Sequence, residues 1–310
     1  MDGTSTAKSK ILGVIVMLLI LIGVTIVTPS SWLGGTKNLG LFSVNRQAPK
    51  VVRKPTLTIK DANSDGQISW SEVVSSSLID STSTLNTIKD NPIDQKAIAE
   101  LNDPNNLTGE FSKNLFLATT QLRESGVTDE IAKQKTIAYL MEQEASKIKP
   151  TTYTLNDLQI DTVESKSSIK AYGNAIAPLV KNIIVKDTIV SDLTSLTAYA
   201  QSLNVADLSP IVKNKSRIDD LIKKLLAVRV PISATSYHLL MLNRLAYYDD
   251  TLAAFSNIDS DPVRATILFN SYQTTMLLLA KIPSRLTEYF NIQNIVFGQN
   301  EAGYIFTGGL

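Results

Sequence analysis

Residues Ile11–Thr28, ILGVIVMLLILIGVTIVT, form an apolar run without a single charge. As a helix rising ~1.5 Å per residue, the run covers roughly 27 Å, close to the hydrocarbon thickness of a bilayer. A helix that is apolar on every side has no face to offer water, so this one belongs in lipid rather than on a soluble core. No Ala-x-Ala-like cleavage site follows, because the chain continues PSSWLGG, and an uncleaved anchor is expected rather than a removable signal peptide. Lys8 and Lys10 sit directly before the run, whereas Lys37 is the one basic residue close behind it. The charge bias therefore makes 1–10 a short cytoplasmic tail, 11–28 a transmembrane anchor and the remainder extracytoplasmic, with Trp32 at the far interface.

The 310 residues are 44% hydrophobic and 19% charged, a balance that permits a sizeable packed core. Thirty Lys and Arg against 29 Asp and Glu leave a formal charge of +1, so no global field recruits nucleic acid. Cysteine is absent, which excludes disulfides, thiolate metal sites and cysteine nucleophiles. From 29 to 54 the chain turns to Ser, Gly, Asn, Gln and Pro with five basic residues (Lys37, Arg46, Lys50, Arg53 and Lys54) and no helix or strand period. This reads as a linker. Near an anionic lipid or polymer surface each basic residue would add on the order of 1 kcal/mol.

The chemistry of the sequence is concentrated in DANSDGQISWSE, residues 61–72. A hard divalent cation takes six or more oxygens, which a chain supplies by alternating acceptors along a tight turn and closing the shell with a bidentate carboxylate. Asp61, Asn63 and Asp65 stand at loop positions 1, 3 and 5, and Gly66 stands at position 6, where a positive φ is needed. The Gln67 carbonyl serves position 7, Ser69 position 9, and Glu72 closes at position 12. Ile68 occupies the apolar position 8. The stretch resembles the EF-hand calcium loop at every position of its pattern. Pro55 and the β-branched TLTI leave little room for an entering helix, while Ser69 and Glu72 can form a capping box for an exiting one. A single, shortened loop of this kind, within 55–80, is similar to those of secreted bacterial proteins such as dockerins. The resemblance implies bound Ca2+ as a structural staple, with an affinity of ~10⁻⁴–10⁻³ M suited to an extracellular setting. The second copy that dockerins carry is missing: NIDSDPVRATIL (257–268) has Pro262 and Leu268 where glycine and the closing acid belong, and DPNNLTGEFSKN (103–114) fails similarly.

The long span 81–310 is expected to be a helical extracytoplasmic domain. Phe111, Leu115, Ala118 and Leu122 mark one helix that Gly126 caps, and a second follows Thr128 and stops at Pro150. Further helices are predicted at about 164–184, 187–203, 210–228, 234–256 and 262–282, with Ser209 and Asp261 as caps and Pro210 and Pro262 at the first helical positions. Pro178 is expected to kink or start a helix, and TTYTLNDLQI (151–160) to run extended. The sum is an all-α, bundle-like domain without the strand-helix rhythm of a parallel sheet. YHLLMLNRLAYY (237–248) is apolar, but Arg244 interrupts it, so a buried bundle helix is expected rather than a second span.

Catalytic patterns are scarce. His238 is the only histidine and lies beside Leu239 and Leu240, which points to a core residue. GGTKNLG (34–40) lacks the Gly-Lys-Ser/Thr order of a phosphate loop. The pairs Asp219–Asp220 and Asp249–Asp250 read as solvated helix faces, and Asn106 and Asn214 open glycosylation sequons. The expectation is a membrane-anchored calcium-binding module whose helical domain contacts protein partners or envelope polymer, without catalysis. The alternative is a membrane-attached hydrolase of envelope polymer that uses those acid pairs. The first predicts an apolar or mixed helical groove, and the second two carboxylates facing each other across an acidic cleft.

Overall fold

The computed structural model describes residues 95–126, 129–183 and 186–307. The apolar run 11–28, the linker 29–54 and all six loop ligands from Asp61 to Glu72 lie outside the described residues. Within them the protein is mostly helical. Its elements are α1 (Gln95–Asn102), α2 (Leu107–Glu124), α3 (Glu130–Lys147), β1 (Gln159–Asp161), α4 (Lys166–Lys181), α5 (Lys186–Ser202), α6 (Ser209–Leu226), β2 (Arg229–Pro231), α7 (Thr235–Ser256), α8 (Pro262–Ala280) and α9 (Ile282–Ile292). Among the described residues no helix is long and apolar enough to cross a membrane.

The chain divides into two compact units, 1–98 with 112–137 and 99–111 with 138–310. In the first, α2 ends at Gly126, whose φ of +68° and N–H bond to the Arg123 carbonyl form a left-handed helix stop. A Cβ there would meet open space, so the dihedral and not packing is what calls for glycine. Asp129 then caps α3 by accepting the Ile131 N–H at 3.0 Å.

The second unit is built around α7. This helix buries residues on nearly all sides, from His238 and Met241 to Leu252 and Phe255, because it packs against both α6 and α8. Helix α6 instead buries one stripe, Ile211, Asn214, Ile218, Leu221, Ile222 and Leu225, and leaves Lys213, Lys223 and Lys224 exposed. At the far end of the chain, an aromatic seam closes the core. Phe290 meets Phe297 edge-on at 5.1 Å and Phe306 at 4.9 Å. The Phe297 ring lies against Gly173 of α4 and Gly303, where a Cβ would stand 2.3 Å from it.

Four expectations need correction. A two-stranded parallel sheet does occur, with Ile160 opposite Val230, but each strand has three residues and the class stays all-α. Ser209 is not the cap of α6: a 3-10 turn, Val205–Leu208, runs straight into the helix, and Asn204 caps that turn by accepting the Ala206 N–H. Pro178 does not start a helix: it sits inside α4, the place that the other expectation, a kink, requires. Helix α9 was not foreseen. Its Pro283 lies at the helix start, where its missing N–H costs nothing, so the proline that looked like a break opens an element.

Candidate functional site

The most enclosed charge in the second unit is Asp192 of α5, with 0% of its surface exposed. Three helices supply its partners. Asn214 Nδ2 of α6 reaches both carboxylate oxygens at 3.2 Å, and the hydroxyls of Tyr248 (α7) and Tyr272 (α8) donate to Oδ2 at 2.6 and 3.0 Å. Burial pushes the carboxyl above its usual range, while these donors and the more distant Arg217 favour its charged form. Arg217 acts through Asn214, whose Oδ1 accepts from Nε at 3.2 Å and Nη2 at 2.9 Å. Every acceptor is engaged, so the cluster is a structural knot joining α5 to α8 rather than a vacant site.

His238 is also fully buried. Its Nε2 lies 3.1 Å from the Leu225 carbonyl, which can only accept, so the proton sits on Nε2 and Nδ1 accepts from the Tyr172 hydroxyl at 3.1 Å. Burial lowers its pKa to about 4, against the opposing pull of Leu225. The ring is a neutral packing element, in line with the core role expected of it.

The two acid pairs split apart. Lys215 of α6 bridges Asp219 on its own helix at 2.9 Å and Asp249 on α7 at 3.2 Å. Asp220 faces out toward Lys223 at 3.9 Å. Asp250 instead holds the strap after α3, accepting Thr151 N at 2.7 Å and Thr151 Oγ1 at 2.9 Å. Two turns earlier on α7, Asn243 brackets Tyr153 through its backbone N–H and carbonyl. Burial above all, with the neighbouring Asp219 adding to it, raises the Asp249 pKa to about 6 against the opposing pull of Lys215. Burial opposes the Lys215 charge, but the two carboxylates outweigh it and raise the ammonium above its usual value. Neighbours in sequence diverge because successive residues on a helix point about 100° apart, and α6–α7 packing brings together one member of each pair.

The outer face of α5 has a different character. Val190, Leu193, Thr194, Thr197, Ala198 and Gln201 line a groove of about 400 Å3. From Val190 to Ser202 the helix carries no charge except the buried Asp192, although Val190 is 59% exposed. Sequence reading assigned no role to this face, since an apolar stripe at helical spacing resembles a core face until its surroundings are known.

The two segments that fail as second calcium loops meet each other. Asp261 caps α8 by accepting Arg264 N, and it also accepts the N–H groups of Leu107 and Thr108 at the start of α2. Asn106 and Asn214, the sequon asparagines, are buried; their side-chain nitrogens donate to the Ser260 carbonyl and to Asp192 with Tyr248 respectively. Neither amide is available for modification in the folded protein. Among the described residues no group of three or more His, Asp or Glu is arranged to hold a metal ion. Comparison with models of known families, with curated proteins and with solved structures finds no match.

Proposed function

We propose that the protein is a membrane-anchored, extracytoplasmic calcium-binding protein whose helical domain serves as an interaction or envelope-scaffold module. The observation that carries this reading is the oxygen spacing of residues 61–72, in which Asp61, Asn63, Asp65, Gln67, Ser69 and Glu72 offer a full coordination shell around the turn at Gly66. The uncharged run 11–28 supports attachment, and a millimolar-range loop is filled outside the cytosol but empty within it. The mixed groove along α5 supports a binding role for the helical domain, because uncharged side chains such as Val190 and Leu193 face solvent there. A second reading, a membrane-attached hydrolase of envelope polymer, draws support from the meeting of Asp219 and Asp249, though Lys215 occupies the space between them.

Thermal unfolding of the full chain in detergent, with and without millimolar Ca2+ or Mg2+, tests the first reading. A Ca2+-selective rise in midpoint is expected, corresponding to about 2.7 kcal/mol at ~100 times the Kd. Asp61→Ala and Glu72→Ala each abolish it. Equal response of both variants and wild type to Ca2+ removes the loop from the account. Release of sugars or peptides from envelope polymer that Asp249→Asn abolishes would favour the hydrolase instead.

A further inference from the structure

Helix α7 carries one cation to which the fold supplies no acceptor. Arg244 is partly buried, and among the described residues no hydrogen bond, ion pair or ring contact engages its guanidinium. Lys170, Lys215, Arg217 and Arg264 are partly buried as well, and each has an acceptor, in Glu301, Asp219 with Asp249, Asn214 and Asp261 respectively. A guanidinium that has given up part of its water without gaining an acceptor costs free energy, which a bound carboxylate would offset.

The side chains around Arg244 are those of a contact surface. Tyr237, Leu240, Arg244 and Tyr247 follow one another at i, i+3, i+7 and i+10, so they share one side of α7 over roughly 15 Å, and all four are partly exposed. Both tyrosines are held by neighbouring helices: the Tyr237 ring lies 5.2 Å from that of Tyr289 on α9, and the Tyr247 hydroxyl lies 2.6 Å from Ser271 Oγ on α8. Helix α8 packs beside α7 and extends the surface. Ile267, Thr274 and Leu278 stand at i−4, i+3 and i+7 from Ser271, on its side of α8, and are partly or wholly exposed. Across 235–248 and 265–280 the one formal charge is Arg244. Tyrosine and arginine are also the side chains that most often anchor protein interfaces.

We propose that the Tyr237–Tyr247 stripe and the adjoining side of α8 form a docking surface for an acidic amphipathic helix of a partner protein. Its carboxylate pairs with Arg244, whose planar fork of donors matches two carboxylate oxygens. Its apolar side chains, one turn to either side, lie against Leu240 and Tyr247, because anchors at i, i+3 and i+7 are the spacing by which one helix reads another. The lack of any other charge on this face selects a partner with a single central acid rather than an acidic run. This partner chemistry rests on the reading of the helical domain as an interaction module and is independent of the calcium loop.

The test uses the full chain in non-ionic detergent and two fluorescein-labelled, end-capped helical peptides, with leucines one turn before and after a central position that holds Glu in one and Gln in the other. Fluorescence anisotropy is expected to give the Glu peptide a Kd about tenfold below that of the Gln peptide. Arg244→Gln removes the difference, and Leu240→Ala weakens both peptides. Because Arg244→Gln breaks no bond of the folded chain, its thermal midpoint is expected to match wild type; a clearly lower midpoint would assign Arg244 to the fold and sink the proposal. Discrimination that persists in Arg244→Gln, or no binding of either peptide at millimolar concentration, overturns it. Arg244-dependent binding of dihexanoyl-phosphatidylglycerol in place of the peptides would assign the surface to lipid and overturn it equally. Asp61→Ala is expected to leave the peptide affinities unchanged, so failure of the calcium reading and failure of this one are told apart.

Discussion

At the scale of single residues, the decisive positions are polar groups placed where water cannot reach. Asp192 shows how a core tolerates a charge: two tyrosine hydroxyls and an amide replace the water it gave up. Asp192→Ala strands those three donors at once, and a loss of more than about 3 kcal/mol is expected by urea unfolding, since each orphaned buried donor costs ~1–3 kcal/mol. Asp192→Asn keeps an acceptor and removes the buried charge, so it is expected to lose far less. Equal losses for the two variants would mean that the charge itself holds the knot. Apart from Asn214, which stood out only as a sequon, neither Asp192 nor its partners were visible in the sequence, because Asp192, Asn214, Tyr248 and Tyr272 are scattered over 80 positions and no spacing rule links them.

At the scale of elements, helix interiors were legible and helix junctions were not. Periodicity and prolines located α4 through α8 within a few residues, and Gly126 was recognisable as a stop from its type alone. The ends misled where two signals overlapped. Ser209-Pro210 looked like a start, yet the 3-10 turn before it supplies helical backbone, and the cap moves back to Asn204. The end of α9 follows a rule that needs no proline or glycine: Asn294 adopts φ 52°, Ile295 N–H bonds to the Phe290 carbonyl and Asn294 N–H to that of Asn291. That pair of bonds is a Schellman stop, with Ile295 buried behind it. Asp261 carries the element-scale prediction. Because it caps α8 and also binds the first N–H groups of α2, Asp261→Ala is expected to cost about 1–4 kcal/mol, the sum of two caps at ~0.5–2 each. Thr108→Val keeps the backbone bonds of Leu107 and Thr108 to Asp261 and removes only the hydroxyl, which donates to Asp261 at 2.8 Å and accepts the Val263 N–H of α8. A smaller loss is expected, and hydrogen exchange at the starts of the two helices separates the cases.

At the scale of the molecule, two titrations oppose each other. His238, lowered to about 4 from 6.5, gives stability that is present above 6.5 and lost as pH falls toward 4, because the unfolded chain binds the proton first. Asp249 acts over nearly the same window with the reverse sign, losing stability as pH rises toward 6. The wild-type profile between pH 4 and 6.5 is therefore expected to be flatter than that of either variant. Asp249→Asn uncovers a fall on acidification, and His238→Gln, which still offers a donor to Leu225 and an acceptor to Tyr172, uncovers a fall on alkalinisation, each by at most ~1.4 kcal/mol per pH unit. Parallel profiles for all three chains would show that the two groups do not titrate as their burial dictates. By itself the sequence determined the helical class, and it holds the uncharged run 11–28 and the oxygen spacing of residues 61–72, since period, hydropathy and residue order are local properties of the chain. Only the tertiary structure decided that Asp219 meets Asp249 and parts from Asp220, that the sequon asparagines are buried, and that the uncharged face of α5 looks outward. Those facts depend on which helix faces pack together, and side chains 30 or 80 positions apart acquire a common environment only when their helices do.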